Sequence, residues 1–191
     1  MSSPDLLPTP AYGAPKRAKF ARNQLIAALK ILQTGDIDES HLTGSWAGAM
    51  GHTQFIPTSY QLYAQDIDGD GHRDIWNSVP DALATAANLL AKNGWQSGRT
   101  WGYEVALPSG ASAKSLGAGN RSMADWQKLG VRRVGGRAFP SGAETARLYQ
   151  PAGANGPAFL LTKHFSVIKR YHNADKDALA VGHLADRIGG G

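Results

Sequence analysis

The sequence predicts an α+β fold, mainly α, in which a helical core carries a calcium loop and a small antiparallel β subdomain. Three observations predict it. Apolar residues recur at helical spacing in the twenty or so positions before Gly35. A second apolar run, "PDALATAANLLAKNG", has helix punctuation at both ends. From Trp101 to about Thr162, in contrast, short β-prone runs alternate with Gly and Pro.

Taken in order, residues 1–15 hold four prolines and predict an irregular start. Residues 16–100 read as the helical part with the calcium loop. There "RAKFARNQLIAALKILQTG" sets Phe20, Leu25, Leu29 and Leu32 near one helical face, and Gly35 is a stop signal. "TSYQLYAQ" predicts a short helix after Pro57, leading into the acidic stretch "DIDGDGHRDIW". The next helix starts at Pro80 and stops at Asn93-Gly94. Residues 101–162 read as the β subdomain, from "WGYEVALPSG", "VRRVGGRAFPSG", "ARLYQPAG" and "PAFLLT". Within it "RSMADWQKLG" predicts a small helix capped by Ser122. Residues 163–191 are expected to return to the helical core. In "KDALAVGHLADRIGG", Leu179, His183 and Asp186 share the face opposite the more apolar one.

The acidic stretch has the spacing of an EF-hand loop. Counting Asp66 as position one places Asp66, Asp68 and Asp70 at one, three and five, the His72 carbonyl at seven and Asp74 at nine. Gly71 falls at six, where the turn requires a residue without Cβ. Oxygen ligands, with no cysteine in the chain, favour calcium over a softer metal. Position twelve is Asn77 rather than Glu, so Asp81 is expected to close the shell. In the first turn of its helix Asp81 would meet both the dipole and the ion, which describes a structural staple rather than a sensor. The competing reading is a solvated Asp-Gly turn.

"GSWAGAMGHTQFIPTSYQLYA" packs small residues around Trp46, Met50, Gln54 and Phe55. Gln54 can present its amide to sugar hydroxyls, and Trp46 and Phe55 can present flat apolar faces to a sugar ring. Composition alone equally allows close helix packing with Met50 and Phe55 in the core.

At 191 residues with 42% hydrophobic content, the chain suits one domain, or one with a small subdomain. It has no apolar run long enough to cross a bilayer, and "MSSPDLLPTPAYGAPKR" lacks the apolar core of a signal peptide. A formal charge of +5 favours a polyanionic partner. The basic residues are scattered, which points away from nucleic acid and toward the acidic peptides of the bacterial cell wall. Oligomeric state is left open.

From Gly44 to Trp95 the chain resembles the signature block of B-type lytic murein transglycosylases, the membrane-bound lytic transglycosylase B-like enzymes of glycoside hydrolase family 103. The likeness continues through "WGYEVALPSG", "MADWQKLGV", "LYQPAGANGPAFLLTKHFSVIKRY" and "ALAVGHLADRI", covering nearly all the chain after about Lys16. The resemblance implies a lysozyme-like helical core, a periplasmic or cell-envelope setting, and peptidoglycan strands as partner. It implies cleavage between N-acetylmuramic acid and N-acetylglucosamine, with capture by the muramic 6-hydroxyl to give a 1,6-anhydro product. It also implies sugar contacts from Ser45 and Gln54, with Tyr171 on the opposite wall of the cleft.

Such chemistry needs one carboxyl group, as general acid and then general base, without the second carboxylate of the usual glycosidases. The family carries this Glu in a G-V-E-x-x-x-G-like motif upstream of "SWAGAMG", and that motif is not found here. The glutamates are Glu39, Glu104 and Glu144, the last two in the β-rich span. Glu39 precedes Ser40 much as Glu-Ser precedes the "GAMG" block of other lytic transglycosylases. It is therefore a catalytic candidate, set against a solvated acid in "GDIDES". The catalytic residue stays unassigned: the chain is expected to begin after the catalytic segment and to be inactive or very slow alone. The alternative function is a non-catalytic, calcium-stabilised peptidoglycan-binding module. His164, His172, Ala174 and Asp177 depart from the family pattern.

Overall fold

The computed structural model describes residues 18–117, 119–142 and 144–189, so the expected irregular start at 1–15 lies outside the described residues. The chain divides into two compact units, Met1–Leu89 and Leu90–Gly191.

The first unit is helical. Helix α1 (Ala18–Thr34) buries Ala21, Gln24, Ala27, Ala28 and Ile31. On the apolar face read from the sequence, Phe20 and Leu29 are largely exposed and Leu25 and Leu32 only half-buried. Alanines win because they let helix α2 (Pro57–Tyr63) approach closely. The buried Gln24 is then satisfied across that contact. Its Nε2 donates to Thr58 Oγ1 at 3.0 Å, and its Oε1 accepts from the Thr58 amide at 3.0 Å. Gly35 ends α1 with a left-handed φ of 77°. Helix α3 (Val79–Lys92) carries Asp81, fully buried, in its first turn. It closes at Gly94 with amide bonds from Gly94 to Ala91 and from Trp95 to Leu90.

The second unit holds a five-stranded antiparallel sheet. Its strands are β1 (Gly102–Ala106), β2 (Arg121–Ser122), β3 (Arg132–Arg133), β4 (Thr145–Tyr149) and β5 (Ala158–Leu161), in the order β2-β4-β5-β1-β3. Short helices α4 (Ala113–Leu116) and α5 (Met123–Lys128) lie in the connections. Ser122 caps α5 as expected, its side chain accepting from the Asp125 amide. All four residues of β5 are buried because both faces are covered. Ala158 and Leu160 join a core with Trp126, Val131 and Leu148. Phe159 and Leu161 join Trp101, Phe165 and Leu179 on the other face.

Helices α6 (Lys163–Ile168) and α7 (Asp175–Ile188) belong to this sheet-bearing unit. Helix α7 packs through Ala178, Leu179 and Gly182, with His183 half-buried and Asp186 exposed at the edge of that face, and Val181, Leu184 and Ile188 point outward. Trp101 decides this. Its Nε1 donates to Asp186 at 3.1 Å, and its ring lies 5.3 Å from that of His183. Gly182 makes room, since a Cβ there would meet the Trp101 ring at 2.5 Å. Among the described residues no helix is long and apolar enough to cross a membrane.

Candidate functional site

In the first unit the segment from Gly44 to Phe55 folds back on itself. Bridges pair Gly44 with Met50 and Met50 with Phe55, and the Ser45 hydroxyl accepts from the Ala49 amide at 3.2 Å. Gly51 sits where a Cβ would lie 2.5 Å from the Ile75 carbonyl oxygen, so only glycine fits without a shift. The His52 amide donates to that same carbonyl at 2.9 Å.

These constraints shape a cavity of about 390 Å³. It is lined by Ser40, His41, Thr43, Gly51, His52, Gln54, Trp76 and Asn77, among others. Gln54 is the one described non-glycine residue with positive φ, at 52°. A side chain in that region carries strain of about 1–3 kcal/mol, and such residues concentrate at ligand sites. Its Nε2 donates to the Gly51 carbonyl at 2.9 Å, which leaves Oε1 as an acceptor. Trp76 fixes the opposite rim, donating from Nε1 to the Thr43 carbonyl at 3.1 Å.

Of the residues expected to meet a sugar, Gln54 lines the cavity and Ser45 adjoins it through Gly44. Phe55 does not offer its ring: at 3% exposure it faces the core, edge-on to Tyr63. The hydrophobic gain from burying a full aromatic outweighs the value of leaving it as a platform. Trp46, at 79% exposure, keeps its ring available. Tyr171 belongs to the second unit, where partial burial raises its phenol.

Asp66, Asp68 and Asp81 each offer a carboxylate oxygen within 4.8 Å of the others. Asp66 is organised by amides, accepting from Gly69 at 2.6 Å and Gly71 at 2.9 Å. Those two bonds hold its carboxyl below the ordinary range. Both oxygens of Asp81 are also engaged, accepting from the Ile67 amide at 2.9 Å and the Asp74 amide at 3.0 Å. Asp81 thus spans both arms of the loop. Asp70 stands outside the convergent group and accepts from the His72 amide at 2.8 Å. The His72 ring turns away to the Gly35 carbonyl, 3.0 Å from Nδ1. Asp74 is spent on the Trp76 and Asn77 amides, both at 2.8 Å. The donor set is all oxygen and suits a hard cation.

Two further groups connect this loop to its surroundings. Arg73 clamps the buried Asp36 with Nε and a terminal nitrogen, and its own amide donates to the same carboxylate. Burial pushes the Asp36 carboxyl up, but the Arg73 and Thr34 hydrogen bonds together outweigh it and leave the carboxyl lowered. Burial, with Asp36 close by, raises the Tyr60 phenol, whose hydroxyl donates to the Arg73 carbonyl at 2.7 Å.

Glu39 is exposed in the turn beside the cavity but does not line it. Its neighbours do. Asp38 is held down to about 2 by the Ser40 and His41 side chains, and His41 Nδ1 lies 2.7 Å from Asp38. Glu104 is exposed on β1, and Glu144 lies 3.4 Å from the Tyr103 hydroxyl. Sequence reasoning missed His41, His52, Trp76 and Asn77 as cavity residues. For Asn77 a signal existed: the position where an EF-hand ligand was expected faces the cavity instead. The family departures His172 and Asp177 pair with each other at 2.7 Å. His164, another departure, is buried in the second unit and accepts from the Gln96 amide at 3.1 Å.

Residues 1–186 match the family model described as the transglycosylase SLT domain. Membrane-bound lytic murein transglycosylase B of Escherichia coli (strain K12) is 30% identical over 185 residues, 96% of this chain and 50% of that protein. SltB3 from Pseudomonas aeruginosa, in complex with NAG-NAM-pentapeptide, superposes with a TM-score of 0.92 at 50% identity. That match covers 100% of this chain and 52% of SltB3. The Escherichia coli lytic transglycosylase Slt35, in complex with calcium, superposes with a TM-score of 0.80 at 29% identity, covering 96% of this chain and 58% of Slt35. The chain spans about half the length of these relatives.

Proposed function

Because the chain belongs to the transglycosylase SLT family, with the B-type lytic murein transglycosylases, we propose that it acts on peptidoglycan glycan strands. The reaction is cleavage of the β-1,4 bond between N-acetylmuramic acid and N-acetylglucosamine, with a 1,6-anhydro end as product. One observation carries the reading: the strained Gln54 at the rim of a cavity lined by amide, hydroxyl and imidazole groups. In this reading Gln54 Oε1 accepts from a sugar hydroxyl or an acetamido N–H. Ser45 holds the turn beneath it, Trp46 offers a ring, and Tyr171 is a further contact by resemblance. Phe55 supports the segment from the core. The setting is the periplasm or cell envelope.

Calcium fits the acidic loop. Asp66, Asp68 and Asp81 would hold it, with Asp70 and the His72 carbonyl completing the oxygen shell. A bound ion supplies the positive charge that three converging carboxylates lack, and fastens the loop to α3.

A second reading, a non-catalytic wall-binding module, is favoured by a specific observation. Among the described residues no glutamate lines the cavity holding Gln54, so the general acid has no candidate there. Digestion of purified sacculi, followed by muropeptide analysis for anhydro ends, separates the readings. Anhydro products from the chain establish the lyase. Sacculus binding that depends on Gln54 without anhydro products establishes the module. Absence of both removes the peptidoglycan reading.

A further inference from the structure

The second unit has its own cavity, about 380 Å³, lined by Ser166, Lys169, Arg170 and Asn173. Ser166 lies on helix α6, Lys169 and Arg170 in the turn that continues it, and Asn173 just beyond that turn. The turn is held by amide bonds from Lys169 to Phe165 and from Arg170 to Val167.

All four side chains are hydrogen-bond donors. Among the described residues, the Ser166 hydroxyl, the Arg170 guanidinium and the Asn173 amide engage no partner. The Lys169 ammonium pairs with Asp175 at 2.7 Å, and Arg147 reaches the other oxygen of that carboxylate at 3.4 Å. Asp175 is therefore already shared between two cations, and the cavity keeps an excess of positive charge. The whole unit has the same bias: residues 90–191 carry 14 basic against 6 acidic side chains, a net +8, while residues 1–89 carry 6 against 9, a net −3. The chain's positive charge thus belongs to the second unit.

Cations at a helix C-terminus are commonly explained by the helix dipole. That accounts for Lys169 and Arg170 but not for the two neutral donors that line the same cavity. Four donors, three of them unengaged, around a cavity of small-ligand size fit a planar anion. We propose that Ser166, Lys169, Arg170 and Asn173 form a carboxylate-binding subsite that takes the free carboxylate of a wall peptide. Arg170 supplies the two-pronged hydrogen bond that suits a carboxylate, and Ser166 and Asn173 donate from either side. The choice of a wall peptide rests on the peptidoglycan reading above.

Calorimetric titration of the full chain with diacetyl-Lys-D-Ala-D-Ala, and with the same peptide ending in an amide, tests this. The free acid should bind about tenfold or more tightly than the amide, the worth of charge-assisted hydrogen bonds. Arg170→Gln should lose a similar factor while the melting temperature holds, because the side chain is exposed. Arg170→Lys should recover only part of the loss. Equal binding of acid and amide, or an indifferent Arg170→Gln, overturns the subsite. Acetate competing as strongly as the peptide reduces it to a general anion hole and overturns the peptide assignment. Titration with N-acetylglucosamine oligomers and a Gln54→Ala variant tests the glycan reading separately. If glycan binding fails while the peptide still binds through Arg170, the wall assignment falls and the carboxylate site stands.

Discussion

Replacing Gln54 separates its cost to the fold from its use to a ligand. A non-glycine residue at φ 52° carries about 1–2 kcal/mol of steric cost relative to glycine. Glycine also loses more chain entropy on folding, about 0.5–1 kcal/mol relative to alanine. The difference leaves Gln54→Gly more stable than Gln54→Ala by about 0.5–1 kcal/mol, a gap of about 1–4 °C in melting temperature. Both variants lose the Gln54 bond to Gly51 (2.9 Å, at the surface), so it cancels in the comparison. Both should also bind N-acetylglucosamine oligomers equally poorly, because both lack the amide. Thermal melts monitored by circular dichroism, with titrations of the same two proteins, measure the two halves. Equal melting temperatures would refute the strain, and wild-type affinity in either variant would refute the ligand role. A loss above about 2 kcal/mol in the alanine variant would assign Gln54 to packing instead.

Four other outcomes are expected. Chelation should lower the melting temperature, since a ligand at a hundred times its dissociation constant contributes about 2.7 kcal/mol. Asp81→Asn should cost a further 1–3 kcal/mol or so even in chelator, because the buried side chain accepts from two amides and loses one of its two acceptor oxygens; indifference in chelator would reduce Asp81 to a ligand alone. Burial lowers the His164 pKa, and its Nε2 accepts from the Gln96 amide, so protonation sets donor against donor. Its unfolded value is about 6.5, so this stability is full above that pH and is lost as pH falls through the lowered folded value. Urea melts across that window should slope by up to about 1.4 kcal/mol per pH unit, flattening in His164→Asn, and an unchanged slope in the variant would count against it. Gly182→Ala drives a Cβ to 2.5 Å from the Trp101 ring and should cost about 1–3 kcal/mol; a neutral result in the same melts would mean that Trp101 yields freely.

What the sequence by itself determined was local punctuation. Gly35, Pro57, Gly94 and Ser122 stop or start helices where expected, because caps and turns depend on backbone conformations only a few residues apart. Of the alternating aspartates, Asp66 and Asp68 converge with Asp81, while Asp70 and Asp74 turn to nearby amides. Long-range competition was decided only by the tertiary structure. Helix α1 buries alanines and Gln24 rather than its leucines because Thr58, thirty-four residues away, satisfies the amide. Phe55 goes inward while Trp46 stays out, although either ring suited a sugar. Helix α7 sets His183 and the exposed Asp186 beside Trp101, whose indole N–H finds its acceptor in Asp186. The cavity draws on Ser40, His52 and Asn77, which share no period or motif. Periodicity records which residues are apolar, but partners distant in the chain determine which polar groups can be satisfied when buried.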